Sequence, residues 1–166
     1  MNNDIAPTLR QQYRAALAMH EECIRRCPDE AWDRIEDGNR FWHISYHTLS
    51  YTGFYLSSND EPVMWPGTRP LHHVFGPGPW APDFDPSTLQ PYTREELLEQ
   101  HAWLLERLNQ SFNDASTELP SLFPWIPFSR LELYFYNLRH LQHHTGQLSE
   151  RIKQLTGEGV KWVGMK

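Results

Sequence analysis

The sequence predicts an all-α fold: a four-helix bundle in which one long Pro- and Gly-rich crossover joins the second and third helices. Three observations carry this expectation. Apolar residues recur at spacings of three and four through four separate segments, the period of a helix with one buried face. Three of those segments open on a Thr or Ser followed three residues later by Gln or Glu, the pattern of a capping box. Eight of the thirteen prolines fall between Pro62 and Pro91, so the interval between the second and third segments cannot be helical. The 166 residues suit one domain, 1–166, large enough to bury about two-thirds of its unfolded surface without staples.

The first helix is expected over about residues 8–27. Thr8 with Gln11 forms its capping box, Leu9, Tyr13, Ala16, Leu17, His20, Ile24 and Cys27 form its stripe, and Pro28 stops it. His20 on that stripe is either a core residue bonded to a backbone carbonyl or part of a site. Turn residues at both ends make Pro28 to Asn39 a connector. The second helix, about 39–56, is crowded with aromatics and carries His43 and His47 four apart, so either or both can face the interior.

The crossover spans 57–92. A connection this long is either disordered or functional, and Trp65, Phe75, Trp80 and Phe84 have apolar surface to bury, which favours a packed segment of the kind that can serve as a lid. Its His72-His73 pair is read either as loop histidines in solvent or as contacts to substrate or to a ligand residue. Thr93 with Glu96 starts the third helix, about 93–114, which ends near Asn113-Asp114; His101 lies on its apolar face, as a core residue or as a partner orienting a ligand. Ser129 with Glu132 starts the fourth, about 129–155, which stops before Gly157. Its stripe is Leu133, Asn137, His140, Leu141, His144, Leu148, Ile152 and Leu155. Gly146 inside it costs about 1 kcal/mol relative to Ala, which points to close approach by another segment or a ligand. The tail from Val160 to Gly164 is apolar enough to dock on the body of the protein.

Charge and cysteines narrow the function. A formal net charge of −6, with no basic block longer than Arg25-Arg26, works against binding to phosphate backbones. No apolar run approaches the roughly 20 residues that span a bilayer, and Met1-Asn2-Asn3-Asp4 lacks the features of a signal peptide, so a cytoplasmic location is expected. Cys23 and Cys27 stand one helical turn apart, where a disulfide does not readily form, and read as free thiols in a reducing compartment. No His-Glu-x-x-His run, Gly-rich phosphate loop or Gly-x-Ser-x-Gly elbow is present, and the carboxylates of a ferritin-like di-iron site are missing.

The chemistry gathers on the fourth helix. Arg139-His140-Leu141-Gln142-His143-His144-Thr145-Gly146-Gln147-Leu148 places His140 and His144 four apart on the inward stripe, and turns His143 away. Two neutral imidazoles supply half or more of a divalent-metal shell, and one histidine of the second helix would complete three. Spacing alone does not choose between His43 and His47. Three protein ligands leave a position for water or substrate, the mark of a catalytic site. Asn137, on the same face, is either a substrate contact or a buried amide bonded to its neighbours.

The segment His140-Leu141-Gln142-His143-His144-Thr145-Gly146-Gln147-Leu148 resembles the last-helix motif of the DinB/YfiT-like superfamily, His-x-x-His-His-x-Gly-Gln. Trp42-His43-Ile44-Ser45-Tyr46-His47-Thr48-Leu49 looks like that family's second-helix segment, a tryptophan before the ligand histidine. The resemblance implies an up-down-down-up bundle, often a homodimer, with a divalent metal such as zinc or nickel held by His47, His140 and His144. The tryptophan-to-histidine spacing is shorter than in many members, which keeps His43 as a second candidate. Some members are similar to transferases and isomerases that use low-molecular-weight thiols. The expected function is a metal-dependent enzyme with an open three-histidine site, of the thiol-cofactor S-transferase or small-molecule hydrolase type. The alternative is a non-catalytic, stress-associated bundle with a structural metal.

Overall fold

The structure, a computed structural model, describes residues 5–57, 63–79, 81–112 and 119–164. Its first helix, α1 (Ala6–Arg26), starts two residues before Thr8. Pro7 explains the difference: its fixed φ suits the first turn, and no side-chain cap bonds this end, so the expected Thr8–Gln11 box does not form. Leu9, Tyr13, Leu17, His20 and Ile24 are buried as the stripe requires, and the chain leaves the helix at Cys27, before Pro28.

The connector is more ordered than its turn residues suggested. It holds a short helix α2 (Asp29–Trp32) and a hairpin of β1 (Ile35–Glu36) and β2 (Asn39–Arg40), paired Ile35 to Arg40 and Glu36 to Asn39. Asp37 and Gly38 make the tight turn at φ 49° and 80°, the left-handed pair that a two-residue hairpin demands. Pairing of Asn39 and Arg40 delays the second long helix, α3 (Phe41–Tyr55), by two residues against the expected start near Asn39.

Most residues of α3 are buried on every side, since it packs against both remaining long helices and lies under the crossover. Those helices are α4 (Arg94–Gln110) and α5 (Arg130–Thr156). Thr93 and Glu96 close a complete capping box on α4. Helix α4 ends at Gln110 because Ser111 turns extended; the Asn113-Asp114 end expected from the sequence lies outside the described residues. On α5, Ser129 accepts from the Glu132 amide, and Gly157, at φ 84°, forms the left-handed cap whose N–H donates to the Lys153 carbonyl.

Named contacts fix the register of the helices. Along α1 and α5, Tyr13 donates to the Tyr134 carbonyl and His20 meets Thr145, and just past the end of α5 the Gly159 carbonyl accepts from Arg26. Along α1 and α4, Arg94 donates to the Ile24 carbonyl, His101 to that of Leu17, and Arg14 to the Asn109 side chain. Gln100 bonds Ser50 between α4 and α3, and Asn137 of α5 donates to the Thr52 carbonyl of α3.

No other described segment of the chain comes close at Gly146; the tight approach of two helices occurs elsewhere. A β-carbon at Gly146 would meet nothing within 4 Å, whereas one at Gly53 would stand 2.9 Å from Leu104 Cδ2 and 3.0 Å from Trp103 Cζ3. Helices α3 and α4 therefore touch through Gly53.

The crossover packs on the body at a few points, while most of its described residues are exposed or half-buried. Tyr92 is fully buried and its hydroxyl donates to the Gly67 carbonyl, while Trp65 and Phe75 lie partly buried against the core; Trp80 lies outside the described residues. Cys23 and Cys27 are free and buried. In the tail, Val160 docks by donating its N–H to Ser149 Oγ, but Trp162 remains 75% exposed. Among the described residues no helix is long and apolar enough to cross a membrane, and the Met1 to Asp4 segment lies outside them.

Candidate metal centre

His47 sits in the second turn of α3, and His140 and His144 share one face of α5 where it packs on α3. The fold brings the three together. Each offers one ligand atom, and these atoms lie within 4.8 Å of one another. His47 Nε2 and His140 Nε2 are 3.1 Å apart, and the His140 and His144 ring centroids are 4.6 Å apart. Two nitrogens sharing a tetrahedral ion at about 2.0–2.1 Å stand about 3.3 Å from each other, so this pair already has near-chelating separation.

The far sides of the rings decide which nitrogens are free. His47 Nδ1–H donates to the His73 carbonyl at 2.7 Å, and His144 Nδ1–H donates to Gln147 Oε1 at 2.7 Å. Both acceptors are oxygens, so both rings carry their proton on Nδ1 and keep the Nε2 lone pair for a ligand. Such outer bonds are the usual support of metal-ligating histidines. His140 Nδ1 is buried with no hydrogen-bond partner.

Burial keeps the trio neutral. It lowers His47 to about 2, against a partly offsetting bond to the His73 carbonyl and with added repulsion from His140 and His144. Burial, then His144 and His143, lowers His140 to about 4, and burial lowers His144 as well. Three uncharged nitrogen donors form a set that fits a borderline divalent ion.

The other histidines separate from this group. His43 is 2% exposed, stacks on Trp42 at 5.0 Å and meets the edge of Phe75, so it belongs to the packing under the crossover. His143 is exposed on the flank, as its position on the helix requires. His20 is a core residue held between two hydroxyls, Thr145 and Ser45, rather than by a backbone carbonyl. His101 is likewise core, bonded to the Leu17 carbonyl and not to any ligand. His72 is buried and bridges the Pro70 and Gln90 carbonyls instead of facing solvent. His73 reaches the site through its carbonyl. Asn137 is fully buried, and its observed bond to Thr52 is a packing contact between α5 and α3.

Three neighbours escaped the sequence reading. Gln147 stands three residues after His144, a spacing that places it on the same face, and this signal was present in the sequence. Phe75 stacks on His47 at 4.0 Å and 20°, and Tyr51 packs on His47 and His140 at 4.7 and 5.7 Å. No periodicity marks Phe75, because its place depends on the path of the crossover.

Fold and site together define a mainly helical protein with a three-histidine group, on two helices, that is suited to a metal ion. The family follows from a match to the DinB superfamily over residues 12–148, and the chain belongs to that superfamily. No curated protein and no solved structure matches it.

Proposed function

We propose that the protein is a divalent-metal-dependent enzyme whose ion is held by His47, His140 and His144, with zinc or nickel the metals of choice. One observation carries the reading: three neutral imidazoles converge, two of them with Nδ1 already committed to an oxygen acceptor, so that their lone pairs face one point. No fourth His, Cys, Asp or Glu joins the group among the described residues, which supports an open coordination position rather than a closed structural clip. A bound ion supplies a Lewis acid that lowers the pKa of a coordinated water or thiol and polarises a carbonyl. The chain's own part is positioning: the His73 carbonyl and Gln147 hold two rings in one tautomer, and Phe75 excludes water from the face of His47.

The reaction class this supports is transfer of a low-molecular-weight thiol to a small substrate, or hydrolysis of a small molecule, with the activated thiol or water as nucleophile. The same reading makes residues 1–166 one domain and the four long helices an up-down-down-up bundle. The contact register supports this, since early α1 residues meet late α4 residues and early α5 residues. A homodimer is part of it and is tested by sedimentation velocity.

Elemental analysis tests the centre. Wild type and His43→Ala are expected to hold one divalent ion per chain, and His47→Ala and His140→Ala to lose it. Wild type without stoichiometric metal, or full retention in His140→Ala, would end this reading. Metal that binds but admits no exogenous thiol or water would favour the non-catalytic alternative.

A further inference from the structure

A cavity of about 480 Å³ adjoins the histidine group, and the metal chemistry above leaves its outer wall without a role. His144 and Phe75 line it next to the site. From there it follows α5 past Gln147 to Glu150 and Arg151, with Asp37 of the hairpin turn also in its wall. From His144 to Glu150 the helix rises about 9 Å at 1.5 Å per residue.

The outer wall is rich in acceptors. Two carboxylates, Asp37 and Glu150, share it with one guanidinium, and that cation is committed: Arg151 Nη1 donates to the Asn39 carbonyl at 3.2 Å and Nη2 to the Glu36 carbonyl at 2.6 Å. Lys153 stands 4.0 Å from Glu150 in a loose surface pair. The Asn39 and Glu36 carbonyls hold the guanidinium in place without cancelling its charge, so the lining carries one negative charge in excess, which favours a donor bearing positive charge over a carboxylate.

We propose that this cavity is the substrate pocket of the three-histidine site, and that it selects small molecules with a metal-binding group at one end and an ammonium group about 9 Å away. The proposal rests on the open-site reading given above. Phe75 and His144 border the end that takes the metal-binding group, and Asp37 and Glu150 receive the ammonium. Both carboxylates are exposed, so each pairing contributes at most about five-fold in affinity, and together they set a three- to ten-fold preference.

The test loads the protein with cobalt(II) and follows its visible absorption while an aminohexanethiol, a mercaptohexanol and a mercaptohexanoate are added in separate titrations. The aminothiol is expected to bind about three- to ten-fold more tightly than the alcohol, and the carboxylate more weakly than either. The double variant Asp37→Asn/Glu150→Gln should lose the preference for the aminothiol over the alcohol, with its cobalt content unchanged. Equal affinities in wild type, a carboxylate preference, or an amine preference that survives in the double variant overturns the proposal. Saturation-transfer NMR on metal-free protein with hexylamine and hexanoate separates the two readings. If no thiol perturbs cobalt but hexylamine still binds in preference to hexanoate, the open-site reading fails and the pocket's selectivity stands; hexanoate binding as well as hexylamine overturns the pocket too.

Discussion

Replacing Gln147 by Leu should weaken metal binding while leaving the metal-free fold intact. The side chain is exposed, so its removal from the apo protein is expected to change stability by no more than about 0.5 kcal/mol. Gln147 Oε1 accepts from His144 Nδ1–H at 2.7 Å, which orients the ring and keeps the proton off Nε2. Outer bonds of this kind are worth about 10- to 100-fold in metal affinity, or about 1.4–2.7 kcal/mol. Gln147→Glu keeps an acceptor in place and should retain affinity at or above the wild-type level. Competition against a chromogenic chelator measures the affinities, and urea unfolding of metal-free protein measures the fold. A Leu variant that binds as tightly as wild type, or a Glu variant as weak as the Leu variant, would refute the role given to this bond.

Further outcomes follow from the same structure. Burial holds His20 at about 3 and His43 at about 4, below the ordinary 6.5 of an unfolded histidine, so between those values the unfolded chain binds more protons. Stability contributed by keeping them neutral is therefore full above about pH 6.5 and lost as pH falls toward 4, with a slope approaching about 1.4 kcal/mol per pH unit for each. The urea midpoint of metal-free protein should hold from pH 7.5 to about 6.5 and fall increasingly steeply from there to pH 4.5, and a flat profile contradicts this account. Gly53→Ala should destabilise by about 1–3 kcal/mol in thermal unfolding, since the clash with Leu104 and Trp103 outweighs the roughly 1 kcal/mol gain in helix propensity. Burial pushes both cysteine thiols up to about 12, so native protein at pH 8 should react negligibly with a disulfide reagent and release two thiols only on unfolding; prompt labelling of the folded chain would disagree.

The helical segments, their stops and the pair His140 and His144 were legible in the sequence because each depends on neighbours within one or two turns. Period, capping pairs and the glycine stop are local properties, and they placed α4 and α5 to within a few residues. The Thr8 box failed for an equally local reason, since Pro7 starts the helix first. No described segment of the chain packs on Gly146, because a glycine shows where a side chain is missing, not what lies beyond it; the tight helix contact belongs to Gly53.

The choice of His47 over His43 was different in kind. Both lie on one helix four residues apart and share a face, so rotation does not separate them, and only the axial position of α3 against its partners decides which imidazole meets α5. Packing of α3 on α5 sets His47 against His140, and Trp42 and Phe75 take His43. His73, Phe75 and Asp37 reach the centre and its cavity from irregular segments without periodicity, and their distance from α5 in sequence hides their proximity. Local chemistry thus determined which helices form and which residue types they present. Long-range packing alone decided which of those residues face one point, because that depends on rotations and chain paths that no short window encodes.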